Sequence, residues 1–182
     1  MRRGNTRCIG TLYGDNWERI YSTILTSATT SITISSLDGD IDEEYMLIGQ
    51  FVGGYNGSVN YLLRPNNDMG SNYGRQTLVG EGSVASAARQ ESSTIARIGT
   101  VWALNHLCLS DTLIYAKSGY IRTIISKKVE DASGTTVGLI CIQGIVWNNT
   151  VDNITSLVIE SEQTNGIGVG THIELYKKRK KI

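Results

Sequence analysis

Apolar and polar residues alternate through much of this chain. Ile32 and Ile34 stand between Ser31, Thr33 and Ser35, a period of two that predicts a half-buried strand over 29–37. In the next segment Tyr45, Leu47 and Phe51 alternate with Met46, Ile48 and Val52. Both faces are apolar there, so this strand belongs inside a sheet rather than at its edge. Residues 17–25 read as an earlier strand. Residues 58–64 read as one that pairs back on the 45–52 strand, through a turn at 53–58. Further strands are predicted at 94–99, 101–108, 113–116, 119–128 (with Ile121, Thr123 and Ile125 on one face), 135–147, 154–160 and 166–179. Residues 80–93 are rich in Gly, Ser and Ala and predict a loop, with room for a short helix. That makes about nine or ten strands at the regular spacing of a sandwich or barrel. No long amphipathic helix and no fixed-period repeat interrupts them, which disfavours a propeller or solenoid. The fold class expected is all-β, an antiparallel β-sandwich of jelly-roll type.

Composition sharpens this picture. The chain has 20 Gly but 1 Pro, the mark of many tight turns. With 40% hydrophobic and 19% charged residues over 182 positions it predicts one globular domain. The expected division is an N-terminal arm or edge element over 1–16, the sandwich over 17–176, and a basic tail over 177–182. No window is apolar enough to insert in a membrane, and no apolar stretch follows the basic start to form a signal peptide. Cys8, Cys108 and Cys141 are scattered without CxxC spacing, which argues against a disulfide framework or zinc site and for synthesis in a reducing cytoplasm. Cys108 and Cys141 lie in apolar runs and read as core. Formal net charge is zero, so the whole-chain electrostatics do not call for nucleic acid. The charge is uneven, however. Lys177, Lys178, Arg179, Lys180 and Lys181 form a basic end, read either as a solvated tail or as a contact for an acidic protein surface or a phosphate backbone.

Little in the chain resembles reactive chemistry. His106 and His172 sit in strand-like segments, without a nucleophile motif nearby. The acidic run Asp38, Asp40, Asp42, Glu43 and Glu44 lacks the glycine and final acid of a calcium loop, and reads as a turn. The GIGVG run at 166–170 is followed by a strand, not by the helix a phosphate cradle needs. No catalytic residue, metal site or cofactor is expected. The best binding candidates are the loops at 53–58 and 65–74, with Tyr55, Asn66, Asn67, Asp68, Asn72 and Tyr73. Aromatic faces beside amides and carboxylates suit sugar rings. The same residues also build tight turns, and they suit contacts between subunits.

Four segments taken in order carry a resemblance: TSITISSLDGDIDEEYMLI (30–48), RPNNDMGSNYG (64–74), GIVWNNTVDNITSLVI (144–159) and GIGVGTHIELYKK (166–178). Together they resemble a family of small structural proteins from tailed bacteriophages, over most of the chain from Trp17 to Lys178. Asn67, Asp68, Gly70, Ser71, Asn72 and Tyr73 match its central loop; Trp147, Asn149 and Thr150 match its late motif. The 1–14 arm and the long basic end depart from it. The resemblance implies a jelly-roll-like virion protein, tail- or capsid-associated, with no catalysis. Trp147 would plug the core, and the Asn and Asp residues would hold turns. The expected function is thus a non-enzymatic virion component, made in the host cytoplasm. It would assemble with itself, as a closed homotrimer, and with other virion proteins. Arg2, Arg3, Lys177, Lys178, Arg179, Lys180 and Lys181 are the expected assembly contacts. The alternative is a glycan-binding host-adhesion module using Tyr55, Asn67, Asp68 and Tyr73. A hydrolase with a degenerate site is the weakest reading.

Overall fold

A computed structural model describes residues 16–178. Twelve strands fill them: β1 (Trp17–Ile24), β2 (Ser31–Ile34), β3 (Glu44–Val52), β4 (Val59–Pro65), β5 (Tyr73–Glu81), β6 (Val84–Ser93), β7 (Ala96–Val101), β8 (Leu107–Tyr115), β9 (Arg122–Ala132), β10 (Leu139–Trp147), β11 (Leu157–Ser161) and β12 (His172–Lys178), with one helical turn α1 (Gly39–Asp42). They form an eight-stranded sheet in the order β1-β12-β3-β8-β9-β10-β5-β6 and a four-stranded sheet in the order β2-β11-β4-β7. Every pairing is antiparallel, and the chain is an all-β sandwich of jelly-roll type. β3 is interior to its sheet, as its two apolar faces require.

Three local expectations are corrected. β4 does not fold back on β3; it crosses to the small sheet and pairs with β11 and β7. The apolar faces of β3 and β4 meet between the layers instead, where Phe51 stacks on Tyr61 at 4.3 Å between ring centroids. The 80–93 stretch is a hairpin, not a loop. Gly82 at φ +56 makes the tight turn, and small side chains cost a two-stranded ladder nothing in packing. Residues 102–106 are a loop rather than strand, because the Asp131 carboxylate draws in the Trp102 amide (2.6 Å) and the His106 ring (2.7 Å).

The core lies between the inner faces. Trp147 is fully buried at one end of it, as its motif implied. Its Nε1 donates to Asp68 Oδ2 at 2.6 Å, and the Arg122 guanidinium carbon lies 5.5 Å from its ring centroid. Arg122 is itself buried and donates to the carbonyls of Asn149 and Asp152. Asn149 in turn caps its own turn, its Oδ1 accepting from the amides of Val151 and Asp152. One aromatic ring, with Arg122 against it, therefore anchors the 66–72 and 148–153 loops.

The acidic run is also structural. Asp38 caps α1 by accepting from Ile41 N (3.1 Å), and Asp40 accepts from Ser118 N (2.6 Å). Asp42 accepts from the Tyr45 hydroxyl (2.8 Å), and Glu43 pairs with Lys117 (2.7 Å). Replacing Trp147 with Ala is expected to cost about 3–5 kcal/mol in urea unfolding. A loss below about 1 kcal/mol would show that the ring does not hold these loops.

Candidate functional site

The predicted loop residues do not assemble into one site. Tyr55 precedes β4, while 66–72 follow it, so roughly 20 Å of strand separates them. Tyr55 is exposed, but Tyr73 is fully buried and its hydroxyl donates to Asp68 O at 2.9 Å. It offers no ring face to a sugar. Asn66 Oδ1 accepts from the amides of Thr155 (2.9 Å) and Ser156 (3.2 Å), and its Nδ2 donates to Asn153 O (2.8 Å). Asn66 and Asn67 adopt φ of 51 and 55, a conformation asparagine tolerates at turns. Asp68 accepts from Trp147, Asn72 Nδ2 (2.8 Å) and Gly70 N (2.7 Å). The loop spends its polar groups on itself.

At the basic end, Lys177 and Lys178 lie in β12, two residues beyond the expected end of the sandwich. Lys177 pairs with Asp42 at 3.2 Å and Lys178 with Glu44. Arg2, Arg3, Cys8, Arg179, Lys180 and Lys181 lie outside the described residues. Cys108 and Cys141 are free and buried, as read from their apolar surroundings. His106 stands in a loop beside Asp131, and His172 is in β12, 3.3 Å from Ser22 Oγ. Among the described residues no three His, Cys, Asp or Glu side chains gather as metal ligands. Among them, too, no helix is long and apolar enough to cross a membrane.

The feature that stands out is the middle of the large sheet, where the usual pattern is turned inside out. On β8, Ser110 and Thr112 point inward and are buried, while Leu109 and Leu113 point outward, 54% and 38% exposed. On β9, Ser126, Lys128 and Glu130 point inward, and Ile125, Lys127 and Val129 outward. On β10, Cys141 and Gln143 point inward; Ile140 and Ile142 point outward, 58% and 48% exposed. On β5, Thr77 is buried and Leu78 is 58% exposed. The registers align these residues strand to strand. Thr112, Ser126, Gln143 and Thr77 share one inner row, while Asp111, Lys127, Ile142 and Leu78 share one outer row.

Hydrogen bonds make the inner row tolerable. Thr112 donates to Ser126 Oγ at 2.9 Å, and Gln143 Nε2 donates to Thr77 Oγ1 at 2.9 Å. Lys128 Nζ donates to Gln143 Oε1 at 3.3 Å and lies 3.2 Å from Glu130. The outer row has no such partner layer. Its side chains form a shallow groove of about 590 Å³ lined by Leu78, Leu109, Val129, Ile140 and Ile142. One charged pair, Asp111–Lys127 at 3.2 Å, lies in its midst.

Next to this face, β6 is exposed on both sides along residues 84–92 and is paired only with β5. It carries no Pro or Lys and is small-residue rich through Ala85, Ser86, Ala87 and Ala88. Both edge strands carry a register shift and charges: β6 has a shift opposite Tyr73 and Arg75 and the charges Arg89 and Glu91, and β1 has a shift between Arg19 and Tyr21 and the charges Glu18 and Arg19. The alternation in β8, β9 and β10 was visible in the sequence. Which half of it faces outward was not.

The fold and face define an antiparallel β-sandwich that displays an aliphatic sheet surface. No protein-family model matches the chain, and no curated protein matches it. Solved structures give remote likenesses. A GH43 glycoside hydrolase, engineered to display both endo-xylanase and exo-arabinofuranosidase activity, is 12% identical with a TM-score of 0.34. The match covers 93% of this chain, which spans only 39% of the hydrolase. The galectin LEC-6 of Caenorhabditis elegans is 10% identical, over 87% of this chain and 96% of its own, with a TM-score of 0.34. The tripod from the baseplate of bacteriophage Tuc2009 is 7% identical, over 99% and 76%, with a TM-score of 0.28. At such values none of them speaks to an activity or a partner.

Asp68 gives this region a pH signature. Burial pushes its pKa up, but hydrogen bonds from Trp147, Asn72 and Gly70 outweigh that and hold it below the ordinary carboxylate value. The unfolded chain therefore binds that proton more tightly than the folded one. The stability Asp68 contributes is complete above its unfolded pKa of about 4 and is lost as pH falls through its folded value. The urea midpoint should drop below about pH 4, and drop less steeply in Asp68→Asn. Equal slopes in the two proteins would rule Asp68 out as a source.

Proposed function

We propose that this protein is a non-enzymatic structural component of a tailed-phage particle, assembling with copies of itself through the outer face of the large sheet. The inverted pattern of β8, β9, β10 and β5 is the observation that carries this reading. A monomer in water gains nothing by turning Leu109, Ile140, Ile142 and Leu78 outward over a buried row of Thr, Ser and Gln. Leu78, Leu109, Ile140 and Ile142 are each about half exposed, and a contiguous aliphatic patch of this kind is a mark of an interaction surface. A stable interface takes about 800 Å² from each partner, so this patch suits the apolar centre of one.

A second copy fits it better than an unrelated partner does. Asp111 and Lys127 stand side by side on the face, so a neighbouring copy can be offered a charge of either sign. Three copies turning this face to a common axis would each bury it against two neighbours, and a trimer is the order proposed. The link to a phage particle is supported by the ordered motifs at 30–48, 64–74, 144–159 and 166–178, and the position proposed is in the virion beside other virion proteins. The reading as a host-adhesion module keeps Tyr55 but loses Tyr73 to the core.

Light scattering on the full chain should give a mass near three times 19.9 kDa. Ile142→Lys and Leu109→Lys should each yield monomers, with unfolding of the monomer changed by no more than about 0.5 kcal/mol. A monodisperse wild-type monomer that is absent from purified particles would overturn the proposal. Glycan-array binding abolished by Tyr55→Ala would favour adhesion instead.

A further inference from the structure

Next to the buried polar row, an amine, an amide and a carboxylate meet inside the sandwich. Lys128 and Gln143 are diagonal neighbours on adjacent strands, since Lys128 pairs with Cys141 and Gln143 with Ser126. Glu130 stands two residues along β9 from Lys128, on the same inner face. All three residues are buried, and the Lys128 side chain has no exposed surface.

An ammonium carries three protons. Here one goes to Arg97 O (3.2 Å) on β7 and one to Gln143 Oε1 (3.3 Å). The third is left for Glu130 Oε1, which lies 3.2 Å from Nζ yet accepts no hydrogen bond. On the far side of the amide, Gln143 Nε2 donates to Thr77 Oγ1 (2.9 Å), which holds the carbonyl toward the amine. As a source of stability a buried ion pair does poorly, because desolvation of two charges consumes most of their attraction. The same three groups are, however, the components of an amide exchange. A proton passing from Nζ to Glu130 turns two ions into an amine and a carboxylic acid, which suits a dry interior and frees the nitrogen lone pair beside the Gln143 carbonyl. Cys108 and Cys141 are the other nucleophiles in these surroundings. Burial pushes the Cys108 thiol up to about 12 and the Cys141 thiol above its ordinary value, so neither competes as a thiolate.

We propose that Lys128 and Gln143 become joined by an isopeptide bond, with Glu130 as the proton carrier. Lys128 Nζ attacks Gln143 Cδ, and the Nζ–Cδ bond forms. Glu130 gives its proton to Nε2 and takes one from the attacking nitrogen. The Cδ–Nε2 bond then breaks and ammonia departs, taking that proton from Glu130 and leaving as ammonium. Glu130 is again a carboxylate, and the balance needs no oxidant or co-reactant. Exclusion of water keeps hydrolysis of the amide from competing. The product ties β9 to β10 covalently beneath the outer face of the large sheet.

The test is intact-mass spectrometry of the folded full chain, followed by a tryptic map. The expected mass is that of the sequence less one ammonia. The map should hold a branched peptide joining Lys128 to Gln143, with no cleavage after Lys128. Glu130→Gln should slow the loss by about a hundredfold, and Lys128→Met should abolish it. The Asn56–Gly57 and Asn165–Gly166 pairs can also shed ammonia by closing to succinimides, so the map must place the loss. Two results would overturn the bond. One is the full sequence mass in the unaltered protein after prolonged incubation, which decides the matter even if the variants fail to fold. The other is an ammonia loss that maps to an Asn–Gly pair or persists in Lys128→Met. Neither bears on self-association, because these side chains point away from the outer face.

Discussion

A hydrogen-bonded polar row buried beneath an aliphatic surface governs this molecule. Thr112, Ser126, Gln143 and Thr77 occupy the inner row of the large sheet, where most sandwiches place Val, Ile and Leu. Each buried hydroxyl or amide must be bonded or it costs about 1–3 kcal/mol. The pairs Thr112–Ser126 and Gln143–Thr77 meet that demand within the row. The aliphatic residues left outside keep a hydrophobic driving force that only a covering surface would satisfy.

The unequal sheets explain where the polar row sits. Four strands cannot cover eight, so the small sheet covers only part of the large one and the β5–β6 hairpin overhangs. Under the small sheet the core is conventional: Phe51 on Tyr61, with Leu47, Leu63, Ile159 and Leu175 around them. Toward β7 and β5 the interior turns polar, through Lys128, Glu130, Gln143 and Thr77. Polarity thus rises as the covering layer runs out. This gradient is what a sandwich with one overhanging wing has to adopt if water, ions or a neighbour reach that wing.

At the ends of the molecule, loops are fixed by side-chain to backbone bonds rather than by length of strand. Trp147, Asp68 and Arg122 bind the 66–72 and 148–153 loops together, and α1 is held by carboxylates that each find a partner. Lys177 and Lys178 tie the last strand to this same acidic region. These polar loops therefore serve as supports for the sheets. The surface left open is the aliphatic face of the large sheet with its shallow groove.

What could be read along the chain was what local chemistry decides. The period of two in 31–35 and 45–52 predicted strands, and the Asn, Asp and Gly of 66–74 predicted a turn held by its own side chains. The core place of Trp147 was expected from the family resemblance. Whatever needs a partner distant in sequence had to wait for the folded arrangement. Alternation states that two faces differ, but in β8 and β10 only the opposing layer decides that Ser110 and Gln143 go in while Leu109 and Ile142 go out. The strand at 59–65 looked like a hairpin partner for β3, yet its apolar face was worth more across the core, against Phe51, than beside it in one sheet. Tyr73 read as an exposed platform because turn residues precede it, and it is buried because it begins β5 beneath the loop. Neighbours along the chain set the backbone; the direction of each side chain was settled by what the fold placed opposite it.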